Sequence, residues 1–363
     1  MQAPPLRQVL RIRTDGYANY SLAYSPFFQQ TLAVASAANF GLVGNGRLHL
    51  CNVSKGGLVD KRFDTQDGLF DVAWSEVHEH QIVTASGDGS IKLWDIALNV
   101  GPLSLRNVLD RGPSYKVVDW SNIRKELFAS CSWDHSIKIW TPERPASVQT
   151  ITAHNACVYA SIFSAHSADT LASCSSDGLL KIWDLNSPTT SSSLAHGVDP
   201  PPATQAALTI PAHPTEVLSL DWNKYRPTVL ATASVDRTVR IHDLRMASNS
   251  SAPAAQPDGG RSCIATLIGH DYAVRRVAWS PHSADVLASS GYDMTARIWK
   301  TDDLSTPPGA PSLRDEAGQA RCVDVYAEHT EFVVGLAWSL YEPGLLATAS
   351  WDQSCHVFPP NSV

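Results

Sequence analysis

The chain has 363 residues, of which 44% are hydrophobic, and its formal net charge at pH 7 is −7. Non-specific binding to nucleic acid or to a membrane surface needs a basic patch, so this balance argues against both classes of partner. Residues 1–16 contain no apolar core of a secretory signal, and the longest apolar stretch, residues 32–44, is shorter than the ~18 residues of a spanning helix. The seven cysteines form no C-x-x-C pair and are odd in number, which indicates reduced thiols and a reducing, soluble compartment.

The predicted elements begin with an alternating strand at about residues 6–13, which leads into a divergent first repeat. In that repeat Tyr24 takes the place of an inner-strand aromatic, Asn45 that of a turn Asp, and Cys51 that of a closing aromatic. The interval from Tyr24 to Asn45 is 21 residues. Seven extra residues, relative to the repeats that follow, therefore lie in an enlarged loop at residues 37–44.

Six further repeats share one spacing: an aromatic residue, an Asp 14 positions later, and a closing residue six positions after that. They are Trp74–Asp88–Trp94, Trp120–Asp134–Trp140, Phe163–Asp177–Trp183, Trp222–Asp236–His242, Trp279–Asp293–Trp299 and Trp338–Asp352–Phe358. Four of them carry a His nine residues before the first aromatic, namely His154, His213, His270 and His329. Fixed internal spacing on a longer, variable period is typical of WD-repeat propellers.

Each repeat is predicted to form four short strands, as the fourth repeat illustrates. Strands are expected at residues 157–163, 171–175 and 179–183, with an Asp-Gly turn before the last. His154, Ser175, Asp177 and Trp183 match the hydrogen-bond network of WD blades. Only this repeat is expected to hold all four members, because other residues replace them elsewhere: Thr65 and Arg111 for His, Gly291 for Ser, and His242 and Phe358 for Trp. A recurring trio whose Asp is also claimed by Trp indicates a structural network and not a catalytic triad.

The pattern predicts an all-β protein in which residues 1–363 form one seven-bladed WD-repeat β-propeller. The chain ends soon after Phe358, so the N-terminal strand is expected to complete the last blade and close the ring. Three inserts at about 186–210, 246–262 and 301–321 are rich in Pro, Ser, Ala and Gly, which is typical of flexible loops. They fall between third and fourth strands and should emerge on one face, the insert face. The face of the turn Asp residues is called the turn face below.

Acidic residues are concentrated in the loops that enter the inner strands on the turn face. Seven windows at one register (14–20, 64–70, 110–116, 153–159, 212–218, 269–275 and 328–334) hold eight acidic and three basic residues. The acidic residues are Asp15, Asp64, Asp67, Asp110, Glu216, Asp271, Glu328 and Glu331, and the basic ones are Arg111, Lys116 and Arg275. Because turns are often acidic, a merely solvated set of loops is the alternative interpretation.

Aromatic residues share this face. Tyr20, Phe70 and Tyr159 stand four residues before an inner-strand aromatic, where a side chain should point toward the central channel. Trp133, Val235, Tyr292 and Trp351 immediately precede turn Asp residues, and Phe332 is nearby. Together with the carboxylates of Asp67, Asp71 and Glu216, these rings predict a site for a cationic amphipathic helix. Asp71 alternates with Phe70 and could instead point into the blade interface, so Asp67 is the preferred carboxylate. Some of the rings could instead pack against a neighbouring blade.

No cofactor, metal site or enzymatic activity is expected. His78, Glu79 and His80 lie in a predicted hairpin loop and lack the H-E-x-x-H spacing of a zinc site. The Gly-Asn-Gly of residues 44–46 and the Gly-Asp-Gly of residues 87–89 occupy the turn register and not a strand-to-helix junction, which argues against phosphate binding. No nucleophile with an adjacent base stands out.

Several stretches are more particular than the repeat. Residues 14–20 (TDGYANY), 24–28 (YSPFF) and 37–47 (AANFGLVGNGR) resemble the first blade of the peroxisomal import receptors for the type 2 targeting signal. Residues 67–75 (DGLFDVAWS) and 86–90 (SGDGS) resemble the second blade. The resemblance extends from about residue 14 to residue 358. Its most specific part is the first blade, because a divergent aromatic and an enlarged loop are not general WD features.

The resemblance implies a soluble receptor without enzymatic activity that shuttles between cytoplasm and peroxisome. Its ligand would be a nonapeptide near the N-terminus of peroxisomal matrix enzymes such as thiolase: Arg or Lys, then Leu, Val or Ile, five variable residues, His or Gln, and Leu or Ala. A co-receptor peroxin would help to hold the signal, and docking peroxins at the peroxisomal membrane would receive the complex, without nucleic acid and without membrane insertion. Asp67 is expected to pair with the first Arg or Lys of the signal, and Phe70 and Tyr20 to receive its leucines.

The loop entering the third blade departs from the family pattern. Residues 111–116 (RGPSYK) lack the acidic residue and the His that similar receptors tend to have there, so a carboxylate contact from that blade is not expected. The alternative function is a generic WD-repeat scaffold, such as a substrate adaptor of a ubiquitin ligase or a subunit of a chromatin complex. Such a protein would use the same face but would not need the first-blade motifs.

Overall fold

The computed structural model describes residues 8–41, 44–54, 56–98, 103–105, 115–187, 205–247, 262–301 and 321–361. These residues form 28 strands in seven four-stranded antiparallel sheets. Each inner strand contacts the inner strands of the two neighbouring sheets, and the contacts run from the first blade to the seventh and back to the first. The predicted all-β, seven-bladed propeller is therefore confirmed.

The strands follow one another in chain order, four to a repeat. Strand β1 spans Leu10–Arg13. Blade 1 contains β2 (Ala18–Tyr24), β3 (Thr31–Ala37), β4 (Gly46–Asn52) and β5 (Leu58–Thr65), and blade 2 contains β6 (Leu69–Trp74), β7 (Gln81–Ser86), β8 (Ile91–Asp95) and β9 (Leu103–Leu105). Blade 3 contains β10 (Tyr115–Trp120), β11 (Phe128–Ser132), β12 (Ser136–Trp140) and β13 (Gln149–Thr152), and blade 4 contains β14 (Val158–Phe163), β15 (Thr170–Ser175), β16 (Leu179–Asp184) and β17 (Leu208–Pro211).

The remaining three blades repeat this order. Blade 5 contains β18 (Val217–Trp222), β19 (Val229–Ser234), β20 (Thr238–Asp243) and β21 (Cys263–Ile268). Blade 6 contains β22 (Val274–Trp279), β23 (Val286–Gly291), β24 (Ala296–Lys300) and β25 (Arg321–Tyr326), and blade 7 contains β26 (Val333–Trp338), β27 (Leu346–Ser350) and β28 (Ser354–Phe358). A 3-10 turn at Ala38–Gly41 lies in the enlarged first loop, and a one-turn helix, α1 (Leu244–Ala247), follows β20.

Strand β1 closes the ring. It pairs antiparallel with β28, so that Leu10 lies opposite Val357 and Ile12 opposite Cys355. Ile12 is 1% exposed and packs in the apolar cluster between blades 7 and 1, while the Arg11 side chain forms an ion pair with Glu328. The predicted closure by the N-terminal strand is confirmed, although residues 6 and 7 of the expected strand lie outside the described part of the chain.

Some of the repeated inner-strand aromatics join neighbouring blades by hydrogen bonds. Trp74 Nε1 donates a hydrogen bond to the carbonyl of Ala23 in the preceding blade at 3.0 Å, and Trp338 Nε1 donates to that of Ala278 at 3.0 Å. The closing Trp residues of blades 2, 3, 4 and 6 are buried to within about 1% of their surface. The core is thus distributed over the interfaces between neighbouring blades.

The hydrogen-bond network of blade 4 differs from the prediction in one member. His154 Nδ1 lies 2.9 Å from Asp177 Oδ2, and its Nε2 lies 2.8 Å from the hydroxyl of Ser173, to which Trp183 Nε1 also donates at 2.8 Å. Ser175, the predicted member, only accepts a bond from the backbone N–H of Asp177. Ser173 replaces it because a hydroxyl in the middle of β15 lies between the loop His and the Trp of the third strand.

The corrected register also changes the number of complete networks. In blade 6 the equivalent hydroxyl is Ser289, which contacts His270 Nε2 at 2.7 Å and accepts from Trp299 Nε1 at 2.8 Å. His270 in turn contacts Asp293 at 2.7 Å, so blade 6 also has all four members. The expectation that Gly291 interrupts this network, and that only blade 4 is complete, is wrong.

The inserts lie where the sequence predicts. They join β16 to β17, β20 to β21 and β24 to β25, each a connection from a third to a fourth strand. Residues 188–204, 248–261 and 302–320, which make up most of the inserts, lie outside the described residues. The enlarged loop of blade 1 joins a second to a third strand, so it belongs to the turn face.

Candidate peptide-binding site

Every inner strand carries a β-bulge at the same register. The ladder between first and second strands skips one residue in each blade, and the skipped residues are Tyr20, Phe70, Lys116, Tyr159, Leu218, Arg275 and Val334. A bulge leaves the extra residue unpaired and re-aims its side chain. The fold therefore places one residue per blade outside the ladder near the turn-face end of the channel, and in the six blades other than blade 3 the side chain of that residue is described.

Six of these bulge residues line a cavity of about 290 Å³ at the turn-face mouth of the channel, which we call the bowl. Seven predicted site residues line it: Tyr20, Phe70, Trp133, Tyr159, Glu216, Tyr292 and Trp351. Four further lining residues, Leu218, Val235, Arg275 and Val334, were not among the predicted ligand contacts. The signal for three of them was present, since Leu218, Arg275 and Val334 stand four residues before an inner-strand aromatic, as Tyr20 does.

A continuous row of five aromatic rings, which we call the aromatic wall, runs along one side of the bowl; four of them line the cavity, and Phe332 packs behind its neighbours without lining it. Phe70 meets Tyr20 edge-on with centroids 4.9 Å apart, and Tyr20 lies 5.5 Å from Trp351. Trp351 lies 5.3 Å from Phe332, which lies 4.9 Å from Tyr292. These spacings are those of favourable aromatic pairs, so the row from blade 2 through blades 1 and 7 to blade 6 is preorganised. Burial raises the pKa of the Tyr20 phenol, which keeps it neutral.

The other side is polar and consists of Tyr159, Glu216 and Arg275, which we call the polar wall. The Tyr159 hydroxyl donates to Glu216 Oε2 at 2.8 Å. Arg275 Nη1 donates to the backbone carbonyl of Leu218 at 3.2 Å. Burial, and then the bond to Glu216, raise the pKa of Tyr159, so it remains a donor. The bowl can accordingly receive an apolar surface on one side and hydrogen-bonding groups on the other.

The family described as "WD domain, G-beta repeat" matches residues 60–95, 117–141, 145–184, 205–243, 261–300 and 320–358. A Saccharomyces cerevisiae protein named "Peroxisomal targeting signal 2 receptor" is 34% identical over 96% of this chain and 99% of its own length. Proteins of the same name from Mus musculus and Homo sapiens are 37% and 36% identical, covering 96% and 90% of this chain and 96% and 87% of their own. The chain belongs to the peroxisomal targeting signal 2 receptor family. This is a family of WD-repeat propellers without enzymatic activity.

Asp71 in blade 2, one of the predicted site residues, does not line the bowl. It is 1% exposed; its Oδ2 accepts from the backbone N–H of Val118 in blade 3 at 2.9 Å, and its Oδ1 lies 3.3 Å from Arg276 Nη2. Because Asp71 follows the bulge, it faces the blade interface. Asp71 is therefore too buried to contact a peptide bound at the bowl.

Asp67 lies in the loop between β5 and β6, three residues before the bulge residue Phe70. It is partly exposed and does not line the bowl itself. No described residue forms an ion pair with its carboxylate. Asp67 is thus an available carboxylate in the loop that leads into the aromatic wall, at the junction of blades 1 and 2.

The acidic excess of the turn face is partly neutralised within the protein. Asp15, Asp64 and Glu328 form ion pairs with Arg13, Arg47 and Arg11. Asp110 and Arg111 lie outside the described residues, as does the side chain of Lys116. Among the described residues, the bowl is lined by one carboxylate and one guanidinium, so local pairing matters more there than net charge.

In the described ranges no three His, Cys, Asp or Glu side chains are grouped as a metal site would require. No helix in the same ranges is long and apolar enough to cross a membrane.

Proposed function

We propose that the chain is a receptor for the type 2 peroxisomal targeting signal and that the signal binds at the bowl. With a co-receptor peroxin it would carry matrix enzymes such as thiolase from the cytoplasm to docking peroxins at the peroxisomal membrane. The names of relatives that match nearly the whole chain support this role. The single observation that carries the binding mode is the row of five aromatic rings, four of which line the same cavity as the polar wall.

An amphipathic helix fits this arrangement. In a nonapeptide helix of about 12 Å, residues one, two, eight and nine lie on the same side, because seven residues are close to two turns. Apolar residues at positions two and nine would pack on the aromatic wall, which supplies large rings whose ordering costs little entropy. The polar residues at positions one and eight would then lie at opposite ends of the bowl.

Asp67 is proposed to receive the Arg or Lys at position one. Its loop runs directly into Phe70, one end of the aromatic wall, and its carboxylate is not engaged by any described cation. A cationic side chain leaving the wall at this end would meet the carboxylate without displacing an existing ion pair. Phe70 and Tyr20 would hold the apolar residue beside it.

Asp67→Lys tests this assignment. Reversing one partner of a desolvated charge pair costs about 2–5 kcal/mol, or roughly 30-fold to several thousand-fold in affinity. Fluorescence anisotropy with a labelled type 2 signal peptide should show that loss, with partial recovery when the first Arg of the peptide is changed to Glu. Glu79→Lys, in an exposed loop on the insert face, is the matched control and should bind as the wild type does.

Two results would count against the proposal at different levels. A folded Asp67→Lys variant that binds the wild-type peptide within about threefold would remove Asp67 from the site. A wild-type protein that binds no type 2 signal peptide, alone or with a co-receptor, would reject the receptor function and favour the generic scaffold.

A further inference from the structure

The two charged residues of the bowl are not paired with each other. Glu216 precedes β18 in blade 5, and Arg275 is the bulge residue of β22 in blade 6. Glu216 is held by the Tyr159 hydroxyl, and Arg275 by the carbonyl of Leu218. Neither forms an ion pair with any residue in the described ranges. Both charges are therefore fixed in position by neutral partners.

Each of these groups keeps bonding capacity. A carboxylate has about four acceptor sites and a guanidinium has five N–H donors. Within the described residues, the carboxylate of Glu216 accepts one hydrogen bond and the guanidinium of Arg275 donates one. Both residues are only partly exposed, so a ligand that covers the bowl must replace the water on the remaining sites or leave them unsatisfied. The chemistry of the ligand group facing this wall is constrained accordingly.

A singly charged group fits poorly here. A Lys or Arg of the ligand would satisfy Glu216 but would share the cavity with the guanidinium of Arg275, and a carboxylate would meet the reverse difficulty. A neutral group with a donor and an acceptor side by side serves both residues. A side-chain carboxamide does so, because its NH₂ can donate to Glu216 while its oxygen accepts from Arg275; a neutral imidazole offers the same two functions on its two nitrogens.

We propose that Glu216 and Arg275 together select a neutral side chain with both a donor and an acceptor, Gln or neutral His, in the segment bound at the bowl. The inference rests on the proposed function, in which position eight of the signal is such a residue. Position eight lies about 10 Å along the helix from position one. Glu216 and Arg275 belong to blades 5 and 6, across the ring from the junction of blades 1 and 2 where Asp67 lies.

The test uses labelled signal peptides that differ only at position eight, with Gln, Lys or Glu. Wild-type protein should bind the Gln peptide about tenfold or more tightly than either charged peptide. Glu216→Gln leaves Arg275 as the only charge on the wall, so the Glu peptide should now bind better than the Lys peptide. Arg275→Gln leaves Glu216, so the order of these two peptides should be the opposite.

Such a reversal of preference cannot result from general damage to the fold. If both folded variants keep the wild-type ranking, or bind no peptide at all, the pair does not select this residue, while binding of the Gln peptide by the wild type would leave the receptor function intact. Failure of the wild type to bind any of the three would reject the receptor function itself.

A second measurement needs no variant. Free imidazole has a pKa of about 6.5, and imidazolium has two donors and no acceptor for Arg275. Wild-type affinity for a peptide with His at position eight should therefore fall about tenfold between pH 8 and pH 5, relative to the Gln peptide measured at the same pH. Equal or tighter binding of the His peptide at pH 5 would overturn the inference.

Discussion

Removal of the N-terminal strand should destabilise the whole propeller, because that strand is the fourth strand of blade 7. Deleting residues 1–13 removes β1, its ladder with β28, and the side chain of Ile12 from the cluster between blades 7 and 1. Loss of a buried Ile side chain costs about 3 kcal/mol. Four ladder residues at about 1 kcal/mol each bring the expected loss to roughly 7 kcal/mol, with β28 left as an open edge.

Thermal unfolding followed by circular dichroism measures this effect. At about 2 °C per kcal/mol for a chain of this size, the deletion should lower the melting temperature by about 10 °C or more. A matched pair of point variants separates burial from truncation: Ile12→Ala should cost about 2–5 kcal/mol, and Val9→Ala, at a position that is 37% exposed, about 0.5 kcal/mol or less. Equal melting temperatures for the chain without residues 1–13 and the full chain would refute the closing role of β1.

Ser173→Ala should lower the free energy of unfolding by about 2–4 kcal/mol, because it leaves the buried imidazole of His154 and the buried indole N–H of Trp183 without their shared partner. The control Ser175→Ala should cost about 1 kcal/mol. Equal melting temperatures for these two variants would contradict the corrected network. Burial lowers the pKa of His49 and His242 to about 3 and that of His356 to about 4. Because these histidines are neutral in the folded protein, their contribution to stability is complete above pH 6.5 and is lost as the pH falls from 6.5 toward 4. A melting temperature that stays constant between pH 6.5 and pH 4 would contradict this prediction. Replacing residues 188–204 or 248–261 by a few Gly and Ser should leave affinity for the signal peptide unchanged, since loop length costs little and the strand ends that these inserts join lie opposite the bowl. Lost binding with an unchanged melting curve would place the site on the insert face.

The architecture could be predicted from the sequence because its determinants are local and repeated. Each inner-strand aromatic and each turn Asp recurs at a fixed distance, and a missing fourth strand at one terminus has one obvious substitute at the other. Cys51 of blade 1 occupies the position of the closing Trp. It pairs with Leu32 in the second strand, just as Trp183 pairs with Leu171 in blade 4. A register is thus readable even where the typical residue has been replaced.

The errors concern positions one or two residues away from such markers. Ser173 and Ser175 lie on the same face of one strand, and only the level of the Trp ring separates the network member from its neighbour. Asp71 directly follows Phe70, and the bulge that turns one toward the bowl and the other into the blade interface is a feature of the backbone that no residue type announces. For the same reason Arg275 could be counted as a charge of the turn face but not recognised as part of one wall with Glu216.

The seven bulges separate what holds the ring together from what it recognises. A bulge residue has no ladder partner, so replacing its side chain changes neither strand register nor the pairing of first and second strands. Of the bulge residues that line the bowl, Leu218 and Val334 are buried and also stabilise the fold by packing, whereas Tyr20, Phe70, Tyr159 and Arg275 are partly exposed. Binders for other helical peptides could therefore be designed on this scaffold by varying these four residues while the buried side chains and the closing strand stay unchanged.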